Sequence, residues 1–281
     1  MRMMSKLTDV GSNFSMGEYC VIEDYVVIGK NVTLGHHVVL RAGTVIGNDV
    51  RIDDFACVGK LPMKAANSAV TSGETPGNCI ICDGVMIGTG GIVYRGAEIG
   101  RGCLVADQAV VRENVSVGEM TIIGRGATIE NHCKIGRFVK IQTNAYITAY
   151  SEVGDRCFIA PGVVTSNDNY AGRTKERFSR FKGVTMEEGA RLGAGAVVLP
   201  GKTVRRDGFA AAGSVVTRDV PEKTIVAGVP AKTMSAVPTE QLLEQNETPG
   251  PYTPPDHNRK GAKADGEEEK APRKKRNWRF Y

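Results

Sequence analysis

The chain of 281 residues is weakly basic, with 36 lysines and arginines against 31 aspartates and glutamates and a net charge of +5. This mild excess does not predict nucleic acid as a partner. The sequence shows no N-terminal signal pattern and no apolar run of about 18 residues, so we expect a cytoplasmic protein without membrane insertion.

An aliphatic residue recurs at every sixth position along most of the chain, and we call these positions anchors. They run from Val10 to Val58, from Ile81 to Ile159 with Thr165 closing the run, and from Met186 to Val216. A period of six fits neither an α-helix with about 3.6 residues per turn nor the alternation of a long strand. It is typical of a solenoid whose chain turns a corner after each hexapeptide.

The corner positions of this solenoid also show a preference for certain residue types. The position three residues after an anchor is often Gly, Asn or Asp, which tolerate the positive φ angle of a tight corner. Each hexapeptide therefore predicts a short strand and a turn, and three hexapeptides make one triangular coil. The thirty anchors, Thr165 included, predict an all-β fold: a parallel β-helix of about ten triangular coils, with adjacent coils about 4.8 Å apart.

Two insertions interrupt the repeat, near residues 60–80 and 166–185. A solenoid extrudes such insertions as loops, often on its binding face. The second insertion is rich in Arg, Lys and aromatic residues, which suits an anionic ligand with a flat ring, such as a nucleotide. The alternative is a solvated loop whose aromatic residues pack on a neighbouring subunit. The residues predicted to bind a substrate there are Tyr170, Arg173, Arg177 and Arg180.

The seven cysteines do not predict a metal site. Cys79 and Cys82 have a CxxC spacing, but no second pair lies at a zinc-ligand distance in the sequence. Five cysteines occupy the small inward position of the repeat, where a thiol behaves as a compact hydrophobic group. Seven cysteines without evident partners also favour a reducing compartment. The five inward cysteines are Cys20, Cys79, Cys103, Cys133 and Cys157.

The repeat ends before the C-terminal segment. Residues 236–246 predict a short helix that caps the open end of the solenoid. Residues 247–281 are rich in Pro, Lys and Glu and predict a disordered charged tail, because such a composition cannot bury enough apolar surface to fold alone.

The segments LGAGAVVLPG, AAAGSVVTRDVP and AGVPAK, together with the hexapeptide repeat, resemble the left-handed β-helix acyltransferases. The resemblance implies that residues 1–235 form one left-handed β-helix acyltransferase domain. It also implies a homotrimer that binds acyl-coenzyme A, by default acetyl-coenzyme A, in a groove between subunits, without a metal. The coenzyme-binding residues implied by the matching motifs are Ala194, Ala212, Thr217, Arg218 and Lys232.

Residues two positions after the anchors are expected to point outward at the corners, and those 18 apart to stack. One such column contains Glu113, Asn131 and Asn167, next to Asp168 where the second loop departs. This arrangement resembles the subgroup that acylates the amine of nucleotide-linked amino-deoxysugars. The resemblance implies that Asp168, Asn167, Glu113 and Asn131 form the catalytic set, with the amine attacking the thioester directly.

The predicted function is therefore N-acylation, most simply N-acetylation, of a nucleotide-linked amino-deoxysugar for a polysaccharide or a glycosylated product. One alternative is an O-acetyltransferase for a sugar, serine or a xenobiotic. The shortage of histidines argues against that alternative, because such enzymes often use a histidine base. Another is a non-catalytic solenoid that acts as a scaffold or nucleotide-sugar binding module.

Overall fold

The computed structural model describes residues 3–66, 68 and 75–246, so the predicted tail lies outside the described residues. The described chain is a stack of very short strands arranged in three sheets of 11, 10 and 12 strands. Up to Val215–Val216, each strand is followed by a turn or a loop and then by a strand of the next sheet. Three short 3-10 helices complete the secondary structure, at Glu176–Ser179, Thr239–Gln241 and Leu243–Gln245.

Within each sheet the strands stack in the order of the sequence. Sheet 1 contains Met3–Met4, Val21–Ile22, Val39–Leu40, Cys57–Lys60, Ile92–Tyr94, Val110–Val111, Thr128–Ile129, Tyr146–Ile147, Val164–Thr165, Val197–Val198 and Val215–Val216. Sheet 2 contains Asp9–Val10, Val27–Ile28, Val45–Ile46, Ile80–Ile81, Glu98–Ile99, Ser116–Val117, Lys134–Ile135, Glu152–Val153, Thr185–Met186 and Thr203–Val204. Sheet 3 contains Ser15–Met16, Thr33–Leu34, Arg51–Ile52, Met86–Ile87, Leu104–Val105, Ile122–Ile123, Lys140–Ile141, Phe158–Ile159, Arg191–Leu192, Phe209–Ala210, Thr224–Ala227 and Lys232–Ala236.

The strand pairing confirms a parallel β-helix. Every strand pairs in parallel with the equivalent strand of the next coil, as Val110–Val111 does with Thr128–Ile129. The exception is Lys232–Ala236, which pairs antiparallel with Thr224–Ala227. The stack is slightly longer than the ten coils predicted, because Met3–Met4 adds a strand before the first anchor and Thr224–Ala227 adds one after the last. The left-handed sense stays a prediction.

The anchors fill the interior of the helix. Anchors such as Ile81, Ile129 and Leu192 have almost no solvent exposure. The five cysteines predicted to be core residues are also buried, as the repeat requires. Thr165, the hydroxyl residue that closes the second run, is buried as well. Its Oγ1 donates to the Tyr146 carbonyl at 3.1 Å and accepts the Thr148 N–H at 2.8 Å, so its polar atom is satisfied inside the core.

The close stacking of coils explains why glycine often follows an anchor. A Cβ atom built on Gly118 would lie 2.6 Å from the carbonyl carbon of Gly136 in the next coil, which leaves no room for a side chain. The corner residues take left-handed backbone conformations, as at Asn144 with φ of 58°. The six-residue pattern thus reflects two constraints, an inward apolar side chain and a corner that backbone sterics restrict.

Both insertions leave the helix at the same corner, which joins sheet 1 to sheet 2 and which we call corner 1–2. The first loop follows Lys60 and ends before Ile80, and the second follows Thr165 and ends before Thr185. Arg95, on corner 1–2, donates from its Nε to the carbonyl oxygen of Pro76 at 3.1 Å and so anchors the first loop. The two loops therefore flank the same edge of the prism.

The capping helix predicted for residues 236–246 does not form as one helix. The segment contains two separate 3-10 turns and lies along the side of the last coils instead of across their end. The Leu243 N–H donates to Asp207 at 3.2 Å, and Arg191 donates to Gln241 at 3.0 Å. The described residues contain no helix that is both long and apolar enough to span a membrane.

Two neighbouring residues of one strand test the inward and outward assignment. Ile81 is 1% exposed and Ile80 is 39% exposed. We expect Ile81→Ala to lower the free energy of unfolding by about 2–5 kcal/mol, because it leaves a cavity in a close-packed interior. Ile80→Ala, the control, should cost less than about 1 kcal/mol. Chemical denaturation followed by circular dichroism would measure both, and equal effects would contradict the assignment.

Candidate functional site

The outer face of sheet 1 and the two corners that border it carry most of the predicted site. The residues directly after its anchors form a column along this face, which we call the sheet 1 column. At the C-terminal end of the column, Thr217, Arg218 and Lys232 line one cavity of about 350 Å³. The Ala231 N–H donates to the Val215 carbonyl at 2.8 Å and thereby fixes the chain beside Lys232. From Tyr94 onward, the sheet 1 column consists of Tyr94, Arg112, Glu130, Thr148 (which is buried), Ser166, Leu199 and Thr217.

The other two predicted coenzyme residues lie at the opposite edge of this face. Ala194 and Ala212 are exposed and stack on each other at the corner that joins sheet 3 to sheet 1. The Gly213 N–H donates to the Ala194 carbonyl at 2.9 Å, so the two coils are in direct contact there. Neither alanine lines the cavity with Thr217 and Lys232. The structure therefore splits the predicted coenzyme residues between two edges of sheet 1.

Glu113 and Asn131, expected at outward-pointing corner positions, are buried. Glu113 is 2% exposed, Asn131 is fully buried, and Ala149 of the same column is 2% exposed. The carboxylate of Glu113 makes an ion pair with Arg112. Gly183 of the second loop packs against the backbone of Tyr150, next to Ala149.

Arg112 joins two carboxylates. Its Nε and one terminal nitrogen donate to the two oxygens of Glu113 at 2.8 and 2.9 Å, and its other terminal nitrogen donates to Glu130 at 3.1 Å. The cationic groups of Lys60 and Arg112 lie over the Tyr94 ring, at 4.8 and 5.1 Å from its centroid. We call these side chains the Arg112 cluster. Burial raises the pKa of the Glu130 carboxyl, the Arg112 charge opposes that rise, and the Glu113 charge adds to it.

Sequence reasoning missed Arg112 and Glu130. They occupy adjacent places in the sheet 1 column, 18 residues apart and opposite in charge. The repeat spacing could have found them, because residues at this separation stack one coil apart. Both residues directly follow an anchor, and this position is not one of the corner positions that the sequence prediction used.

Asp168 organises the second loop. Its carboxylate accepts hydrogen bonds from the Tyr170 N–H at 2.8 Å, the Gly172 N–H at 2.9 Å and the Arg177 guanidinium at 3.0 Å. The Gly172 N–H, the Tyr170 N–H and Arg177 hold the pKa of Asp168 below its usual range. Asp168 is thus an ionised acceptor with its donors already in place. The Asn167 carbonyl accepts the Lys182 N–H at 3.1 Å and so ties the two ends of the loop together.

The predicted substrate residues of this loop differ in their surroundings. Arg177 binds Asp168 and lies 4.8 Å from the Phe178 ring centroid and 5.6 Å from that of Phe181. Arg180 makes an exposed ion pair with Glu176. Arg173 is exposed and Tyr170 is half-buried. The structure therefore uses Arg177 inside the loop and leaves Arg173 accessible on its surface.

The described histidines take part in local packing. His36 accepts the Glu18 N–H at Nδ1, at 2.9 Å. The His37 ring stacks between Tyr19 and Phe55. The His132 ring stacks on Tyr150, with ring centroids 5.3 Å apart, and lies on corner 1–2 beside Asn131. Within the described ranges, no three or more His, Cys, Asp or Glu side chains gather in a way that could hold a metal ion.

The repeat of this chain matches a known sequence family. The profile of the bacterial transferase hexapeptide family (six repeats) matches residues 15–48 and 132–167. These matches fall on the stacked coils described above. Over these two segments the chain is similar to that family.

Curated relatives of this hexapeptide-repeat chain include enzymes with different acceptors. A 2,3,4,5-tetrahydropyridine-2,6-dicarboxylate N-acetyltransferase of Staphylococcus aureus is 49% identical over 49 residues, which cover 17% of this chain and 20% of the relative. A galactoside O-acetyltransferase of Lactococcus lactis is 33% identical over 81 residues, or 28% of this chain and 39% of the relative. A serine acetyltransferase of Buchnera aphidicola is 34% identical over 93 residues, or 31% and 34%. The chain spans less than half the length of these relatives.

Solved structures similar to the hexapeptide-repeat chain include a UDP-N-acetylglucosamine acyltransferase of Francisella novicida. It has a TM-score of 0.46 and 21% identity, and the match covers 90% of this chain and 73% of that one. A perosamine N-acetyltransferase from Caulobacter crescentus, solved with CoA and GDP-perosamine, has a TM-score of 0.35 and 26% identity. That match covers 52% and 53% of the two chains.

Asp168→Ala tests whether this carboxylate closes the second loop. We expect the amide protons of Tyr170 and Gly172 to exchange with solvent several-fold faster in the variant, because both lose their acceptor. Hydrogen–deuterium exchange of peptides from residues 166–184 would measure the change. Glu176→Ala is the control, since it removes only an exposed ion pair of the same loop. Unchanged protection in Asp168→Ala would show that the loop closes without this carboxylate.

Proposed function

We propose that the chain is a coenzyme-A-dependent acyltransferase that acylates the amine of a nucleotide-linked amino-deoxysugar. The observation that carries the proposal is the layout of the outer face of sheet 1. It has a cavity with two cationic side chains at one end and the Arg112 cluster with its two carboxylates further along. Glu130 and Thr217 lie four coils apart on this face, which corresponds to about 19 Å. An extended phosphopantetheine arm is long enough to span that distance.

The cavity suits the phosphate end of the coenzyme. Arg218 and Lys232 present a guanidinium and an ammonium group, which bind phosphate through charge-assisted hydrogen bonds. Ala194 and Ala212 are small and exposed, so the pantetheine arm could lie against their backbone. These alanines belong to the opposite edge of sheet 1. We therefore propose that, in a homotrimer, this edge of one subunit faces the cavity of the next.

The acceptor would lie on corner 1–2, between the two loops. Arg173 and the neighbouring lysines of the second loop would bind the diphosphate of the nucleotide, and the loop aromatics its base. Asp168 and Asn167 would hold the loop in place, while Glu113 and Asn131 would shape the floor of the sugar site. The amine would attack the thioester carbon, with the coenzyme thiol as the leaving group. Holding both reactants on one rigid face removes much of the entropy cost of their encounter.

The rival function is O-acetylation, as the name of the Lactococcus lactis relative suggests. A hydroxyl acceptor needs a general base in a way that a free amine does not. His132 is the specific observation in favour of this rival, because its ring lies on the same corner as the proposed acceptor site. Its stacking on Tyr150 and its left-handed backbone, with φ of 58°, are accounted for by packing at the corner.

Arg218→Ala and Lys232→Ala test the coenzyme site. We expect each to weaken acetyl-coenzyme A binding roughly tenfold, the size of one charged hydrogen bond. Isothermal titration calorimetry would measure the affinity. Arg205→Ala is the matched control, because Arg205 follows a sheet 2 strand in the preceding coil, does not line the cavity and pairs with Glu187. Wild-type affinity in both test variants would place the phosphates elsewhere.

A panel of acceptors tests the reaction itself. The protein would be incubated with acetyl-coenzyme A and dTDP- or UDP-linked sugars that carry either an amino or a hydroxyl group, and thiol release would be followed. We expect release with the amino sugars, and His132→Gln should retain at least half of the wild-type rate. Release with hydroxyl acceptors alone, abolished by His132→Gln, would instead favour O-acetylation. A protein that neither binds the coenzyme nor releases thiol would be a non-catalytic scaffold.

A further inference from the structure

The two carboxylates of the Arg112 cluster differ in solvent exposure and in how they bind Arg112. The Glu113 side chain is 3% exposed and binds Arg112 through both oxygens. The Glu130 side chain is 18% exposed and accepts from Arg112 through one oxygen. Among the described residues, Arg112 is the hydrogen-bond partner of the Glu130 carboxylate. Glu113 is therefore a buried support, and Glu130 is the carboxylate that a ligand could reach.

The charges of the cluster do not balance locally. Arg112 supplies one positive charge against the two carboxylates of Glu113 and Glu130. Lys60 does not correct this, because it contacts the Tyr94 ring and belongs to a coil on the far side of Tyr94 from Glu130. A negative charge that is half-buried without full compensation is costly. The site around Glu130 therefore favours an added cation or an added proton.

The position of Glu130 in the fold suggests which cation could balance its charge in the proposed reaction. Glu130 lies in the sheet 1 column, which ends at the Thr217 cavity, and it borders Asn131 on corner 1–2. An acceptor amine is an ammonium ion in neutral solution and would supply the missing cation. We propose that Glu130 receives the amino group of the acceptor and takes up its proton, and that Arg112, supported by Glu113, holds the Glu130 carboxylate in place. This inference rests on the proposed function.

The transfer moves two protons and one acyl group. The ammonium group gives one proton to the Glu130 carboxylate and becomes a neutral amine. The amine nitrogen forms a bond to the thioester carbonyl carbon, the carbon–sulfur bond breaks, and the thiolate leaves with the bonding electrons. The second proton of the nitrogen passes to the thiolate, which gives the amide and the free thiol. Glu130 then releases its proton to solvent.

The environment of Glu130 fixes the direction of the pH dependence. The charges that act on its pKa are those of Arg112 and Glu113. Burial, and after it the Glu130 charge, raises the pKa of Tyr146 and of the core thiol Cys133. Burial raises the Glu130 pKa above that of an ordinary carboxyl group, so the carboxylate form is lost at a higher pH than usual. Since only the carboxylate can accept the proton, kcat/KM should fall as the pH falls through this raised value.

Glu130→Gln is the central variant, and Glu152→Gln is its matched control. Glu152 makes an exposed pair with Lys134 on sheet 2. With dTDP-4-amino-4,6-dideoxyglucose or another amino sugar that the wild type acylates, Glu130→Gln should lower kcat about 100-fold or more. It should also remove the acidic limb of the pH profile while leaving coenzyme affinity unchanged. Glu152→Gln should change neither.

Arg112→Lys tests the positioning role. A lysine cannot bind both carboxylates as the guanidinium does. We expect the acidic limb of kcat/KM to move to higher pH, because Glu130 loses part of its charge stabilisation. A uniform loss of activity without a change in the pH profile would show that Arg112 serves stability alone.

A binding measurement separates this inference from the proposed function. The wild type should bind dTDP-4-amino-4,6-dideoxyglucose more tightly than dTDP-6-deoxyglucose, its hydroxyl counterpart, and Glu130→Gln should lose that preference. No preference in the wild type, or a preference that survives in Glu130→Gln, would overturn the role of Glu130. If the preference depends on Glu130 but no thiol is released with any acceptor, the amine site stands and the proposed transfer reaction fails.

Discussion

The structure depends above all on the close stacking of coils. Where Gly118 meets the backbone of Gly136, no side chain fits between adjacent coils, so the chain must present the same small or inward-facing residues at each level. This constraint holds residues 18 apart directly above one another. Side chains on the outer faces are therefore placed as precisely as the core, and chemistry can be built from columns of outward residues on a rigid frame.

The two loops turn one of three similar edges into a distinct surface. Corner 1–2 carries both insertions, and its Glu113, Asn131 and Ala149 are buried although corner residues of a solenoid normally face solvent. Next to this edge, burial raises the pKa of Glu130, and Glu113 makes an ion pair with Arg112. At the end of the same face, the hairpin that contains Lys232 closes a cavity with Thr217 and Arg218. In the described chain, the outer face of sheet 1 is thus bordered by both insertions and ends at the cavity that the hairpin helps to line.

The interior of this protein could be predicted from the sequence, while much of its surface could not. The anchors and the five inward cysteines follow from a single period, because every coil repeats the same steric problem. The burial of Glu113 could not be read from that period, since its carboxylate pairs with an arginine one residue away and this pairing follows no repeat. The three hydrogen bonds of Asp168 within the second loop could not be read from the period either, because the loop follows no repeat. The predicted capping helix does not form because Leu243 and Gln241 make hydrogen bonds to residues on the side of the coils.

The reversed strand Lys232–Ala236 has a consequence for how these molecules meet one another. A stack of parallel strands ends in a row of unpaired backbone groups, and a second molecule could add its own coils there and build a fibre. In sheet 3 that edge is taken by an antiparallel strand, whose hydrogen bonds run in the opposite sense from those of a further coil. The residues KTMSA of this strand are all exposed and begin with a lysine. A change that frees this hairpin would therefore expose a parallel edge of sheet 3 and at the same time remove Lys232 from the cavity.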